Sequence, residues 1–203
     1  MDKEKYLQDI TEIKNLMNKS SRFISLSGLS GILAGIYALL GAWYAHWLVN
    51  FEGKGYLTLH GALFKKCLLI LIGVGVLSIG TAILLTTQKA KKNNESIWDA
   101  TTRRLLFNFL VPLVAGGIYI VIMLSQGRYG QSGSLMLLFY GISLFSASKY
   151  TLGYVKYLGL TEILLGLISA CIPGYGFWFW VLGFGIMHIV YGALMYIKYD
   201  KNS

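Results

Sequence analysis

Charge is scarce in this sequence: 13% of its 203 residues are Asp, Glu, Lys or Arg, about half the share of an ordinary soluble domain. With 55% of residues hydrophobic, that scarcity excludes a water-soluble core as the reason for the apolar content. Cysteine is sparse too, with only Cys67 and Cys171, and no CxxC or metal-like spacing joins them. The three histidines form neither HxxxH nor HExxH, and no carboxylate is spaced to complete a metal site. Phosphate loops, dinucleotide signatures and zinc patterns are missing, so the reading is of a chain with no cofactor and no metal.

What is present is a series of long apolar runs. Leu26 to Val49, Cys67 to Thr87 and Leu105 to Gln126 lack formal charge when His46 is neutral, and each exceeds the roughly 20 residues a helix needs to cross the hydrocarbon. Ile163 to Ile197 is uncharged for too long to be one span and is broken at Cys171-Ile-Pro-Gly-Tyr-Gly176, where Pro-Gly suits a type II turn. The uncharged run Ser134 to Ser148 is short and has to extend through Lys149. The fold expected is all-α: a polytopic membrane protein with six transmembrane helices over 26–49, 63–87, 105–125, 134–154, 157–172 and 177–197. Residues 1–24 form an amphipathic N-terminal helix, 25–198 the bundle and 199–203 a short tail. No soluble domain fits into the connecting loops.

The net charge of +9 raises nucleic acid as a partner, but its distribution speaks for topology. Fourteen of the 18 basic residues lie in the N-terminal segment, around Lys89 to Arg104, at Lys149 and Lys156, and at Lys198 and Lys201; Lys54, Lys65, Lys66 and Arg128 lie on the other side. The positive-inside rule then places both termini in the cytoplasm and the chain in a bacterial-type inner membrane. Trp43, Trp47, Trp178 and Trp180 fall at the expected outer boundary, where amphipathic rings prefer to sit. Met1 to Ser25 is polar and does not read as a cleavable signal peptide. Cys67 and Cys171 lie about a turn inside the outer ends of their spans, which leaves a disulfide open beside the commoner role of a small buried apolar residue.

Tyr6, Ile10, Ile13 and Met17 give the N-terminal helix its apolar stripe. Such a stripe suits a helix lying on the membrane surface, and the same spacing suits a homo-oligomer or a cytoplasmic protein partner. A second helix start is expected near Asn94 to Ser96, supported by Asp99 and Arg103 at i, i+4. In the first span Gly28, Gly31, Gly35, Ala38, Ala42 and Ala45 share one face, a seam where another backbone can approach closely; a helix of this chain or of a second copy would serve. Gly28 to Gly35 resembles Gly159 to Gly166, and Tyr154-Val-Lys-Tyr157 resembles Tyr196-Ile-Lys-Tyr199, a faint sign of duplicated hairpins.

Ionisable groups inside spans are costly and are the candidates for function. There are three: Lys149, Glu162 and His188. Lys149 and Glu162 are centred on a hairpin near Lys156 and are expected to pair; an ion pair fastening two helices or a lysine snorkelling to the interface is the structural reading, and a proton or ion relay or a charged-substrate site the functional one. His188 shares a face with Gly185 and Gly192, and a hydrogen bond to a tyrosine or serine, proton transfer or ligand binding suits it. Gly130-Gln131-Ser132-Gly133 before the fourth span, with His188 in the sixth, is similar to rhomboid intramembrane serine proteases. That resemblance, confined to those residues, implies Ser132 as nucleophile and His188 as its base. The pattern departs from the family where Met187 precedes and Tyr191 follows the histidine, and a second GxSG occurs at Gly28 to Gly31. The leading expectation is a channel or transporter for an ion or small solute, not an enzyme; the alternative is a membrane-embedded regulatory or sensory subunit with a cytoplasmic partner.

Overall fold

The computed structural model describes residues 26–53, 61–93, 97–151 and 153–201. The amphipathic N-terminal helix, the start near Asn94 to Ser96 and His60 lie outside the described residues. Within them the fold is entirely helical: α1 (Gly28–Phe51), α2 (Ala62–Lys92), α3 (Ala100–Ser125), α4 (Ser132–Ala147) with a 3-10 turn (Ser148–Tyr150), α5 (Gly153–Cys171) and α6 (Gly176–Asp200). Five of these, all but α4, are long and apolar enough to cross a membrane.

The ends follow from local chemistry. Asp99 caps α3, its carboxylate accepting the Thr102 N–H at 2.7 Å. Asp99 is thus the N-cap of α3 and its carboxylate satisfies an orphan donor of the first turn, where an i, i+4 pair with Arg103 was expected. At the other end Gly127 has φ 75°, the left-handed conformation glycine adopts without penalty. The Arg128 N–H reaches the Met123 carbonyl at 2.9 Å and the Gly127 N–H that of Leu124 at 3.0 Å, a Schellman closure. The expected turn between α5 and α6 is present: Gly174 has φ 92° and the Tyr175 N–H reaches the Ile172 carbonyl at 3.4 Å, as a type II turn centred on Pro173-Gly174 requires.

Small residues decide how closely the helices approach. A Cβ on Gly35 would lie 2.6 Å from the Gly185 carbonyl oxygen, and one on Gly192 2.6 Å from the Ile32 nitrogen. The α1 seam is thus filled by α6 of the same chain, with Ala38 and Ala42 buried along it and Ala45 only half-buried. The α4 and α5 backbones meet in the same way: a Cβ on Gly141 would lie 2.7 Å from the Gly159 carbonyl oxygen, and one on Gly166 2.9 Å from that of Ser134. Ser134 and Ser169 share a buried hydrogen bond of 2.8 Å in that contact. Helices α1, α4, α5 and α6 form the centre; α2 packs on α1 and α3 on α4, leaving broad apolar faces exposed.

At one end of the bundle the start of α1, the end of α2 and the end of α6 are tied together. Asp200 accepts the Gly28 N–H at 2.9 Å and pairs with the Lys89 ammonium at 2.6 Å, and Lys89 also donates to the Leu26 carbonyl at 3.3 Å.

Candidate functional site

The α4/α5 contact that brings the two backbones together also carries Glu162 to the centre, on the α5 face shared with Gly159, Gly166 and Ser169, all four buried. Glu162 has no exposed surface, and neither carboxyl oxygen has a hydrogen-bond partner among the described residues. Its neighbours leave little room. A Cβ added to Gly183 would collide with Glu162 Oε2 and would lie 2.5 Å from Leu137 Cδ2. Leu137 is itself fully buried.

The one ion-pair contact Glu162 makes among the described residues is to His188, with Nδ1 3.5 Å from Oε1. That is too long for a hydrogen bond, because Nδ1 faces the Gly183 carbonyl oxygen at 3.0 Å. A carbonyl can only accept, so Nδ1 carries the proton; in the neutral ring Nε2 then accepts, and its partner is the Tyr140 hydroxyl at 2.9 Å. The tautomer therefore follows from the two contacts: Tyr140 donates to Nε2, and Nδ1–H points at Gly183 with the carboxyl of Glu162 just beyond. Val181–Met187, which supplies Gly183 and leads into His188, is wound as a π-helix, a form common at functional sites.

An aromatic row leads to this group. Trp180, Phe184 and His188 follow at four-residue spacing on α6, with ring centroids 5.1 Å apart for the first pair and 5.7 Å for the second. Tyr140 packs on Phe184 at 5.0 Å and meets the edge of Phe109 from α3 at 6.1 Å. Tyr140, Phe184 and Trp180 are half-buried, whereas His188 and Glu162 are buried. The row thus runs inward from partly open surface to the enclosed carboxyl.

Of the three ionisable residues expected inside spans, the structure joins Glu162 and His188 and leaves Lys149 apart. The expected Lys149 to Glu162 pair is not formed. Lys149 sits in the 3-10 turn that ends α4 and is exposed, where a long stem can hold its ammonium in a polar setting without burying it. The protease geometry is not assembled either: Ser132 Oγ donates to the Tyr129 carbonyl at 2.9 Å, and both ring nitrogens of His188 are engaged elsewhere. Cys67 and Cys171 are free thiols. Tyr140 and Gly183 were not singled out by sequence; the signal available for the aromatic row was the spacing of Trp180, Phe184 and His188.

No protein-family model matches the chain, and no curated protein or solved structure matches it significantly.

Proposed function

We propose that this chain is an inner-membrane protein that crosses the bilayer six times, with both termini in the cytoplasm, and moves an ion or small solute using Glu162 as its proton-binding group. The sixth span of this reading is α4. Its 16 α-helical residues and the 3-10 turn of 3 rise about 24 Å and about 6 Å, which together match the roughly 30 Å hydrocarbon thickness. Helix α4 is short, at 16 α-helical residues, and not less apolar than its neighbours; Ser134 and Ser143 are buried in the bundle and not exposed toward lipid. The 14 to 4 division of basic residues supports the orientation.

The observation that carries the reading is the unpartnered carboxyl. A buried ionised carboxylate without hydrogen bonds costs several kcal/mol, and a chain retains such a group in a membrane where it serves a purpose. With Gly183 and Leu137 against it, the described geometry has room at the carboxyl for a proton and not for a solute. His188, held in one tautomer by Tyr140 and Gly183, stands where it can take up a proton at Nε2, on the Tyr140 side, and give its Nδ1 proton to an ionised Glu162 after a small rotation that shortens the 3.5 Å gap. In this arrangement Glu162 and His188 load and release the coupling proton, and the solute binds elsewhere in the bundle.

The test is proton flux in vesicles reconstituted with the purified full chain and loaded with a pH-sensitive dye. An imposed gradient should drive dye response through the wild type, with Glu162→Gln reduced to the rate of protein-free vesicles and Lys149→Gln unchanged. Equal flux through wild type and Glu162→Gln would overturn the assignment.

A further inference from the structure

Close backbone contacts divide the central helices into two pairs. Glycines bring α1 against α6 and α4 against α5: a Cβ on Gly192 would lie 2.9 Å from the Gly28 carbonyl oxygen, and one on Gly159 2.8 Å from the Phe145 nitrogen. The candidate site lies where the pairs meet, with Tyr140 and Glu162 from one and His188 from the other. A third polar contact crosses the same boundary, a hydrogen bond of 3.0 Å between Thr161 Oγ1 and the Tyr191 hydroxyl. We propose that this bond is the inner gate of the site: it shuts Glu162 off from the end of the bundle where α6 finishes, and its opening admits water and protons from that end. The inference rests on the reading of Glu162 as the proton-binding group.

Placement is the first support. Thr161 immediately precedes Glu162 on α5, and Tyr191 follows His188 by three residues on α6, close to one turn. Long side chains lean back over the turn N-terminal to their own Cα, which carries the Tyr191 ring toward His188. The bond therefore lies beside the site, on the side facing the end of α6. Beyond it Leu144, Val155, Leu158 and Met195 form a buried apolar cluster, with Tyr191 packed against it. Those four side chains offer no group that relays a proton, so this end is closed. The opposite side reaches partly open surface along Tyr140, Phe184 and Trp180.

The two parts of the closure differ in kind. Apolar contact is non-directional, whereas a hydrogen bond weakens steeply once its geometry is lost. Interlocked backbones leave each glycine-packed pair little freedom to shear internally, so the motion available is a rocking of one pair on the other. Such a rocking breaks the Thr161–Tyr191 bond, parts Leu158 from Met195 and uncovers Glu162, one turn from Leu158. The freed hydroxyls are costly in a dry interior and satisfied in a wet one, so opening of the bond and entry of water are coupled.

The experiment measures N-ethylmaleimide labelling of the thiol introduced by Leu158→Cys, in the full chain carrying Cys67→Ser and Cys171→Ser, reconstituted in lipid vesicles, alongside proton flux. Tyr191→Phe and Thr161→Val should each speed labelling about fivefold, the change in open population expected from one lost hydrogen bond. Their combination should add nothing further, since both remove the same bond. Thr161→Ser, which keeps a hydroxyl, should label at the parent rate, and so should Ser134→Ala, which loses the buried hydrogen bond inside the α4/α5 pair. Unchanged labelling in Tyr191→Phe and Thr161→Val, or equal acceleration in Ser134→Ala, would overturn the gate. Faster labelling with extra proton flux that Glu162→Gln abolishes supports the gate and the proton site together. Faster labelling with flux indifferent to Glu162→Gln supports the gate and removes the proton reading.

Discussion

The carboxylate of Asp200 accepts the backbone N–H of Gly28 at 2.9 Å, so the end of α6 caps the start of α1 across 172 residues of sequence. Helix α1 has no side-chain cap of its own, since Ser27 at the N-cap position makes no such bond. The orphan donors of its first turn instead draw an anion from a neighbouring helix, and Lys89 neutralises that anion from α2.

Asp200→Asn keeps an acceptor for Gly28 and removes only the charge pair. With both partners nearly buried, the loss should be about 1 to 3 kcal/mol, read as a lower unfolding midpoint in detergent. Asp200→Ala, which removes the cap as well, should cost about 1 kcal/mol more. Adding Lys89→Met to Asp200→Asn should recover part of the loss, because the unpaired ammonium is then gone.

The glycine seam gives a packing prediction. Gly35→Leu places side-chain atoms where the Gly185 carbonyl and Ile189 already stand and should prevent the α1/α6 contact from closing, at a cost above about 3 kcal/mol or with loss of folded protein. Leu40→Ala, on the exposed side of α1, should change the detergent unfolding midpoint little. Leu39 is not a suitable control: it packs directly on Gly185, with Cδ2 2.5 Å from where a Cβ there would sit.

Gly183→Ala tests the site's lack of space. Helix propensity alone favours the alanine by about 1 kcal/mol, yet its Cβ would strike Glu162 and Leu137. The clash should win, giving net destabilisation of about 1 to 3 kcal/mol together with lost proton flux. A more stable, fully active Gly183→Ala protein would show that the carboxyl has room to move.

Much of this fold was legible because spans announce themselves by composition: apolar runs, the Pro173-Gly174 turn and the seam at Gly28 to Ala42 all depend on local sequence. The α1 seam's partner was not legible, since a run of small residues specifies close approach but not to what. Glu162 and His188 could be named as costly groups, but their pairing could not. Symmetry about a hairpin suggested Lys149, and that reasoning ignored the 3-10 turn that carries Lys149 to the surface. Tyr140 and Asp200 were missed because their roles arise from contacts with residues 48 and 172 positions away, which no local pattern records.

Topology is open to a direct check. Reporter fusions at Lys91 and Ser203 should report a cytoplasmic location, and one at Gly53 an exported one, because α4 with its 3-10 turn counts as a full span in this account. An exported Ser203 fusion would leave an odd number of crossings and remove α4 from the membrane.

The central claim is that Glu162 takes up and releases a proton inside the bundle, and pH-difference infrared spectroscopy of the protein in lipid reads that event without any assumption about transport. The account requires a protonated-carboxyl C=O stretching band that appears and disappears with pH, is absent in Glu162→Gln, and shifts in Tyr140→Phe, where His188 loses its Nε2 partner. A difference spectrum unchanged by Glu162→Gln would contradict it.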